Sequence, residues 1–112
     1  MARDVRQEFV QLVKAVDPIF KRGDLKVFWP TLRALMAMAP DRRDLSQKKS
    51  HYLASLAARS LARGDPDAAL EFLECADRTL DPTHLTAFLL KERSEFRSQA
   101  DEAIRSKKSH RP

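Results

Sequence analysis

The stretch Leu61-Ala62-Arg63-Gly64-Asp65-Pro66 decides how this chain is read, because it closes one helix and opens the next. Glycine enters the left-handed conformation that ends a helix without a Cβ clash. Aspartate accepts a hydrogen bond from the unpaired N–H groups of the helix that follows. Proline suits the first helical position, where its missing N–H costs nothing. The same device stands earlier as Phe20-Lys21-Arg22-Gly23-Asp24. Gly23 and Gly64, 41 positions apart, are the only glycines in the chain. Each is expected to join an incoming helix to an outgoing one. Helix pairs of this length stack into repeats, since one hairpin cannot bury its apolar face alone.

The 3.6-residue period predicts five helical segments. The first spans about Arg3 to Val16, with Val5, Phe9, Leu12, Val13 and Val16 as its stripe. Pro18 ends or kinks it, and a further turn to Arg22 follows. The second starts at Asp24 or Pro30 and reaches Met38, with Phe28, Leu32, Leu35 and Met36 inward. Pro30 is expected to kink it. Polar Pro40 to Lys49 reads as a loop leading into the third helix, which starts as early as Asp44 and ends near Arg63. Leu53, Leu56, Ala57 and Leu61 line one side, and Ala54, Ala58 and Ala62 a second. A helix apolar on two sides belongs between neighbours. The fourth runs from Pro66 to about Leu80, with Asp67, Glu71 and Glu74 outward. Asp81-Pro82 opens the fifth, which extends to about Arg105 with a seam of Leu85, Phe88, Leu89, Phe96, Ala100, Ala103 and Ile104. Residues 1–105 therefore read as a single all-α domain, and 106–112 as a basic flexible tail.

The second hairpin, Leu53-x-x-Leu56-Ala57 through Gly64-Asp65-Pro66-Asp67-Ala68-Ala69-Leu70-Glu71-Phe72-Leu73-Glu74-Cys75-Ala76 to Asp81-Pro82, resembles a tetratricopeptide repeat. Leu53 stands for the usual tryptophan and Leu56-Ala57 for the Leu-Gly pair. Ala69, Leu73 and Ala76 match the second helix, while Ser60 replaces the usual tyrosine. The first hairpin matches less well: Phe28, Leu32 and Leu35 stand for the small–large–small series, with Pro40 in step. The resemblance implies two helix-hairpin repeats plus a C-terminal capping helix. The residues alone fit a five-helix bundle equally well.

Composition bounds the function. Hydrophobic residues make up 43% of the 112, enough for a folded core. No run of about 18 apolar residues occurs, so no membrane span is expected. Lone Cys75 makes no internal disulfide, and a reducing cytoplasm fits best. The net charge of +5 is uneven: +7 over residues 1–63, −6 over 64–104 and +4 over 105–112. That polarity suits an acidic protein partner, self-association or a basic face for nucleic acid.

No catalytic, metal or cofactor constellation emerges. His51, His84 and His110 lack metal-ligand spacing, Cys75 has no second cysteine, and no glycine loop cradles phosphate. The chain is therefore expected to be a non-enzymatic interaction module or adaptor that binds a helical or extended segment of another protein, or a second copy of itself. The repeat resemblance implies a groove lined by Val10, Val13, His51, Ala54, Ala58, Phe88 and Glu92. Trp29, with Phe28 and Met36, is a candidate anchor if Pro30 turns these residues outward. The alternative is a small basic helical subunit of a nucleoprotein complex, contacting nucleic acid through Arg42, Arg43, Lys48, Lys49, Lys107 and Lys108. His110 and Arg111 would extend that basic set.

Overall fold

The computed structural model describes residues 4–109, with side chains as far as Lys107. Among them the fold is all-α, with five α-helices and no strand: α1 (Val5–Lys21), α2 (Leu25–Ala37), α3 (Arg43–Ala62), α4 (Pro66–Thr79) and α5 (Ala87–Ser109). A 3-10 turn, Pro82–His84, lies between α4 and α5. None of the described helices is long and apolar enough to cross a membrane.

Both glycine turns do what their chemistry predicts. Gly23 has φ +79° and Gly64 φ +77°. The Gly23 N–H donates to Phe20 C=O at 2.9 Å and Asp24 N–H to Ile19 C=O at 3.4 Å. At the second turn, Gly64 N–H donates to Leu61 C=O at 3.0 Å and Asp65 N–H to Ser60 C=O at 2.9 Å. This is the Schellman pattern twice over, consuming carbonyls that the helix end would otherwise leave open. Asp24 then caps α2 through Val27 N–H at 3.4 Å, and Asp65 caps α4 through Ala68 N–H at 3.1 Å.

The chain divides into two compact units at Leu45 and Ser46. In the first, α1 packs on α2. Phe9, Val16 and Phe20 are buried on α1, and Phe28, Leu32, Leu35 and Met36 on α2. The Phe20 and Phe28 rings meet at 5.4 Å with a 53° tilt, a favoured aromatic geometry. In the second unit α4 packs on α5. Its buried residues include Leu53, Leu56 and Ala57 of α3, Ala69, Phe72, Leu73 and Ala76 of α4, and Leu89 and Ala100 of α5.

Several boundaries and faces differ from the sequence reading. At the two prolines the longer of the expected alternatives holds: α1 continues past Pro18 to Lys21, and α2 runs from Leu25 through Pro30. Each proline removes the donor for the carbonyl four residues back, on Lys14 and Lys26. All four of these residues are exposed, so water can take the freed carbonyls. Leu12 leaves the expected stripe and is 43% exposed, because it lies on the flank of the line through Phe9, Val16 and Phe20. α3 begins at Arg43, at the early end of the expected range, so most of residues 40–49 is helix and not loop. Its polar Ser46, Lys49 and Ser50 are buried. Asp81-Pro82 opens the 3-10 turn, not α5. Leu85 is extended, and the Thr86 hydroxyl caps α5 through Leu89 N–H at 3.2 Å. At its other end α5 continues past Arg105 to Ser109, so the first part of the expected tail is helical. Residues 110–112 lie outside the described part.

Candidate functional site

The most developed surface of the second unit is built around α5, which is held from both flanks. Thr86 starts the helix, and its periodicity sends Leu89, Arg93 and Ala100 inward. Arg93 is 8% exposed, an uncommon place for a guanidinium without a partner. Its partner is Asp77 on the last turns of α4: Arg93 Nη1 donates to Asp77 Oδ1 at 2.7 Å. Arg97, one turn further along α5, donates to the other oxygen of the same carboxylate. On the opposite flank, Glu92 Oε1 lies 3.4 Å from His51 Nδ1 on α3.

Of the residues expected to line a groove, His51 and Glu92 are brought together by this contact. Phe88 precedes Glu92 by one turn, so both occupy the same flank. Phe88 is 69% exposed, the most exposed of the large apolar side chains described. It does not join the inward seam, because that seam follows Leu89 and lies roughly 100° away around the helix. Ala58 is half-buried on α3, while Ala54 is 2% exposed and contributes packing. In the first unit Val10 is exposed and Val13 half-buried on α1. Trp29 is half-buried on α2, with the Arg33 guanidinium 5.9 Å from its ring centroid. Phe28 and Met36 are buried, and Pro30 does not turn them outward.

The basic residues fare unequally. Arg42 is engaged by Asp44, with Nε to Oδ1 at 3.1 Å and Nη2 to Oδ2 at 2.8 Å. That forked hydrogen bond raises the Arg42 pKa and, with Arg6 Nε at 3.6 Å adding to it, holds Asp44 below the usual carboxylate range. Arg43, Lys48 and Lys107 are exposed, on helices and not in a loop. Lys49 is 1% exposed and does not present its ammonium to solvent. Burial pushes its pKa down, since a low-polarity setting disfavours the charged form. The Lys108 side chain, His110 and Arg111 lie outside the described residues.

A polar cluster not anticipated from sequence ties the start of α3 to the 3-10 turn. Ser46 Oγ lies 2.9 Å from His84 Nδ1, and Asp81 Oδ2 lies 3.7 Å from His84 Nε2. Gln47 Nε2 donates to the His84 carbonyl at 3.0 Å. The order Ser–His–Asp resembles a hydrolytic triad only superficially. Ser46 is 2% exposed, too enclosed for a substrate carbonyl to approach, and at 3.7 Å Asp81 Oδ2 stands beyond hydrogen-bond reach of His84 Nε2. The cluster reads as a fastening. Cys75 is buried within α4. Among the described residues, no three His, Cys, Asp or Glu side chains converge to hold a metal ion.

Arg93 was legible in principle. It falls at the inward register of α5 between Leu89 and Phe96, and a charge in that position asks for a buried partner. Its acceptor, on the preceding helix, has no local sequence signature. Comparison with protein-family models, with curated proteins and with solved structures finds no match for this chain.

Proposed function

We propose that this protein is a non-enzymatic interaction module that binds a helical or extended segment of another protein along the Phe88–Glu92 flank of α5 and the adjoining face of α3. The observation that carries this reading is Phe88, a phenyl ring 69% exposed on a capped, well-anchored helical turn. Covering it yields about 1–2 kcal/mol of apolar transfer. A polar pair beside it, His51 and Glu92, offers hydrogen-bonding groups that fix the register of a bound segment. Because α5 is fastened to α3 and α4, the surface is formed before the partner arrives, and little ordering cost remains.

The recurrence of one turn chemistry at Gly23 and Gly64 supports reading α1–α2 and α3–α4 as two copies of a tetratricopeptide-like hairpin, with α5 as the cap. Less favours nucleic acid as the partner: Lys49 is buried and Arg42 is committed to Asp44.

The test is capture from nuclease-treated native lysate by the full chain and by Phe88→Glu, each washed at low and high salt, with sedimentation of the purified chain run alongside. A protein retained through nuclease and salt by the wild type, and lost by Phe88→Glu, is the expected result. Capture that vanishes with nuclease or salt, or is indifferent to Phe88→Glu, overturns the reading.

A further inference from the structure

A second feature of the same unit is independent of the Phe88 flank. On the opposite side of α5 a cleft of about 340 Å³ opens against the end of α4, at the small end of the range for ligand pockets. One wall is apolar, made by Leu80, Pro82 and Leu90. The facing wall carries Arg93, Ser94 and Arg97, with Asp77 between the two arginines.

The charges in this cleft do not balance. Asp77 alone suffices to compensate Arg93, which is almost sealed from water. Arg97 leans on the same carboxylate through one Nη, which leaves two guanidinium charges on one carboxylate. Arg97 is only partly exposed, and its remaining N–H edge has no protein partner among the described residues. The Ser94 hydroxyl is likewise open. We infer that the cleft binds a small organic monoanion with an apolar body, an alkyl or aryl carboxylate, its head on Arg97 and Ser94 and its body against Leu80, Pro82 and Leu90. A carboxylate carries one negative charge and matches the single excess positive charge. A phosphate monoester carries roughly 1.5 to 2 at neutral pH and leaves the site over-neutralised. The free guanidinium edge also suits the planar, two-oxygen geometry of a carboxylate.

The probes are 4-phenylbutanoate, its uncharged amide and phenyl phosphate, titrated into the full ¹⁵N-labelled chain and followed through backbone amide resonances. The acid is expected to saturate at millimolar concentration and to shift the Leu90, Ser94 and Arg97 amides. The amide and the phosphate should each bind about tenfold more weakly. Arg97→Gln should cut the acid's affinity about tenfold. Leu90→Asn should weaken acid and amide alike. Helical circular dichroism verifies that both variants fold. Equal binding of acid and amide, preference for the phosphate, indifference to Arg97→Gln, or no saturable shift overturns the inference.

Discussion

Arg93 Nη1 on α5 donates to Asp77 Oδ1 on α4 across 2.7 Å, and the arginine is nearly enclosed while the aspartate is partly in solvent. The two halves of this pair are therefore unequal. Removing the carboxylate strands a charge inside the fold, whereas removing the guanidinium leaves an anion that water and Arg97 can still serve. Asp77→Ala should cost about 2–3 kcal/mol, and Arg93→Met clearly less. Urea unfolding of both single variants and the double variant measures this, and a double variant more stable than Asp77→Ala alone is the expected signature.

The glycine turns give a second prediction. A Cβ built on Gly64 meets nothing within 4 Å, and the same is true of Gly23. The cost of Gly64→Ala is then purely that of holding a non-glycine residue at positive φ, about 1–2 kcal/mol, with Gly64→Asn costing less. Thermal unfolding of the two variants should rank them in that order. Equal stabilities would show that the turn relaxes to another conformation.

Ala39 supplies the converse case. It stands at φ +43° ahead of Pro40, the only non-glycine residue at positive φ among those described. Ala39→Gly relieves that strain but adds freedom to the unfolded chain, and the net expectation is a gain of about 0.5 kcal/mol. A loss of stability in denaturant titration would contradict the strain assigned to this turn.

Lys49 makes stability depend on pH in a defined direction. Burial holds its pKa below that of an ordinary lysine, so the folded chain releases the proton before the unfolded chain does. Between the lowered folded value and about 10.4, the unfolded state binds more protons and stability rises with pH. Below that window the cost of burying the charge is present in full. Lys49→Met lacks this dependence. The stability of Lys49→Met relative to wild type should therefore fall between neutral pH and about pH 10. A difference that stays constant across that interval counts against a buried, titrating ammonium.

The features legible in the sequence were those made by local chemistry. Gly23-Asp24 and Gly64-Asp65-Pro66 each carry a helix stop and a cap in adjacent residues, and both turns form as read. Polar Pro40 to Lys49 leaves the start of α3 open from Asp44 onward, and the helix takes the early end of that range, at Arg43, with Ser46, Lys49 and Ser50 buried on it. The start of α5 was misplaced because two capping signals compete within six residues. Asp81-Pro82 has the stronger composition, but its turn closes as a 3-10 helix and Thr86 caps the α-helix. Phe88 reads as part of the seam only while Leu85, three residues earlier, counts as helical; with α5 starting at Ala87, Leu85 lies outside the helix. The polar contacts of Asp77 and Glu92 join different helices, and no period along one segment encodes such a meeting.

The two internal prolines, both in the first unit, bear on how the molecule breathes. Each deletes a rung from its helix, because it brings no N–H to the carbonyl of Lys14 or Lys26. α3 and α5 contain no such gap, and Pro66 sits where α4 begins and needs no donor. The hairpin of α1 and α2 is thus the half whose hydrogen-bond ladder opens with least work. In native-state amide exchange its protection should fade first, while the amides of α3 and α4 follow the slower, cooperative unfolding of the rest.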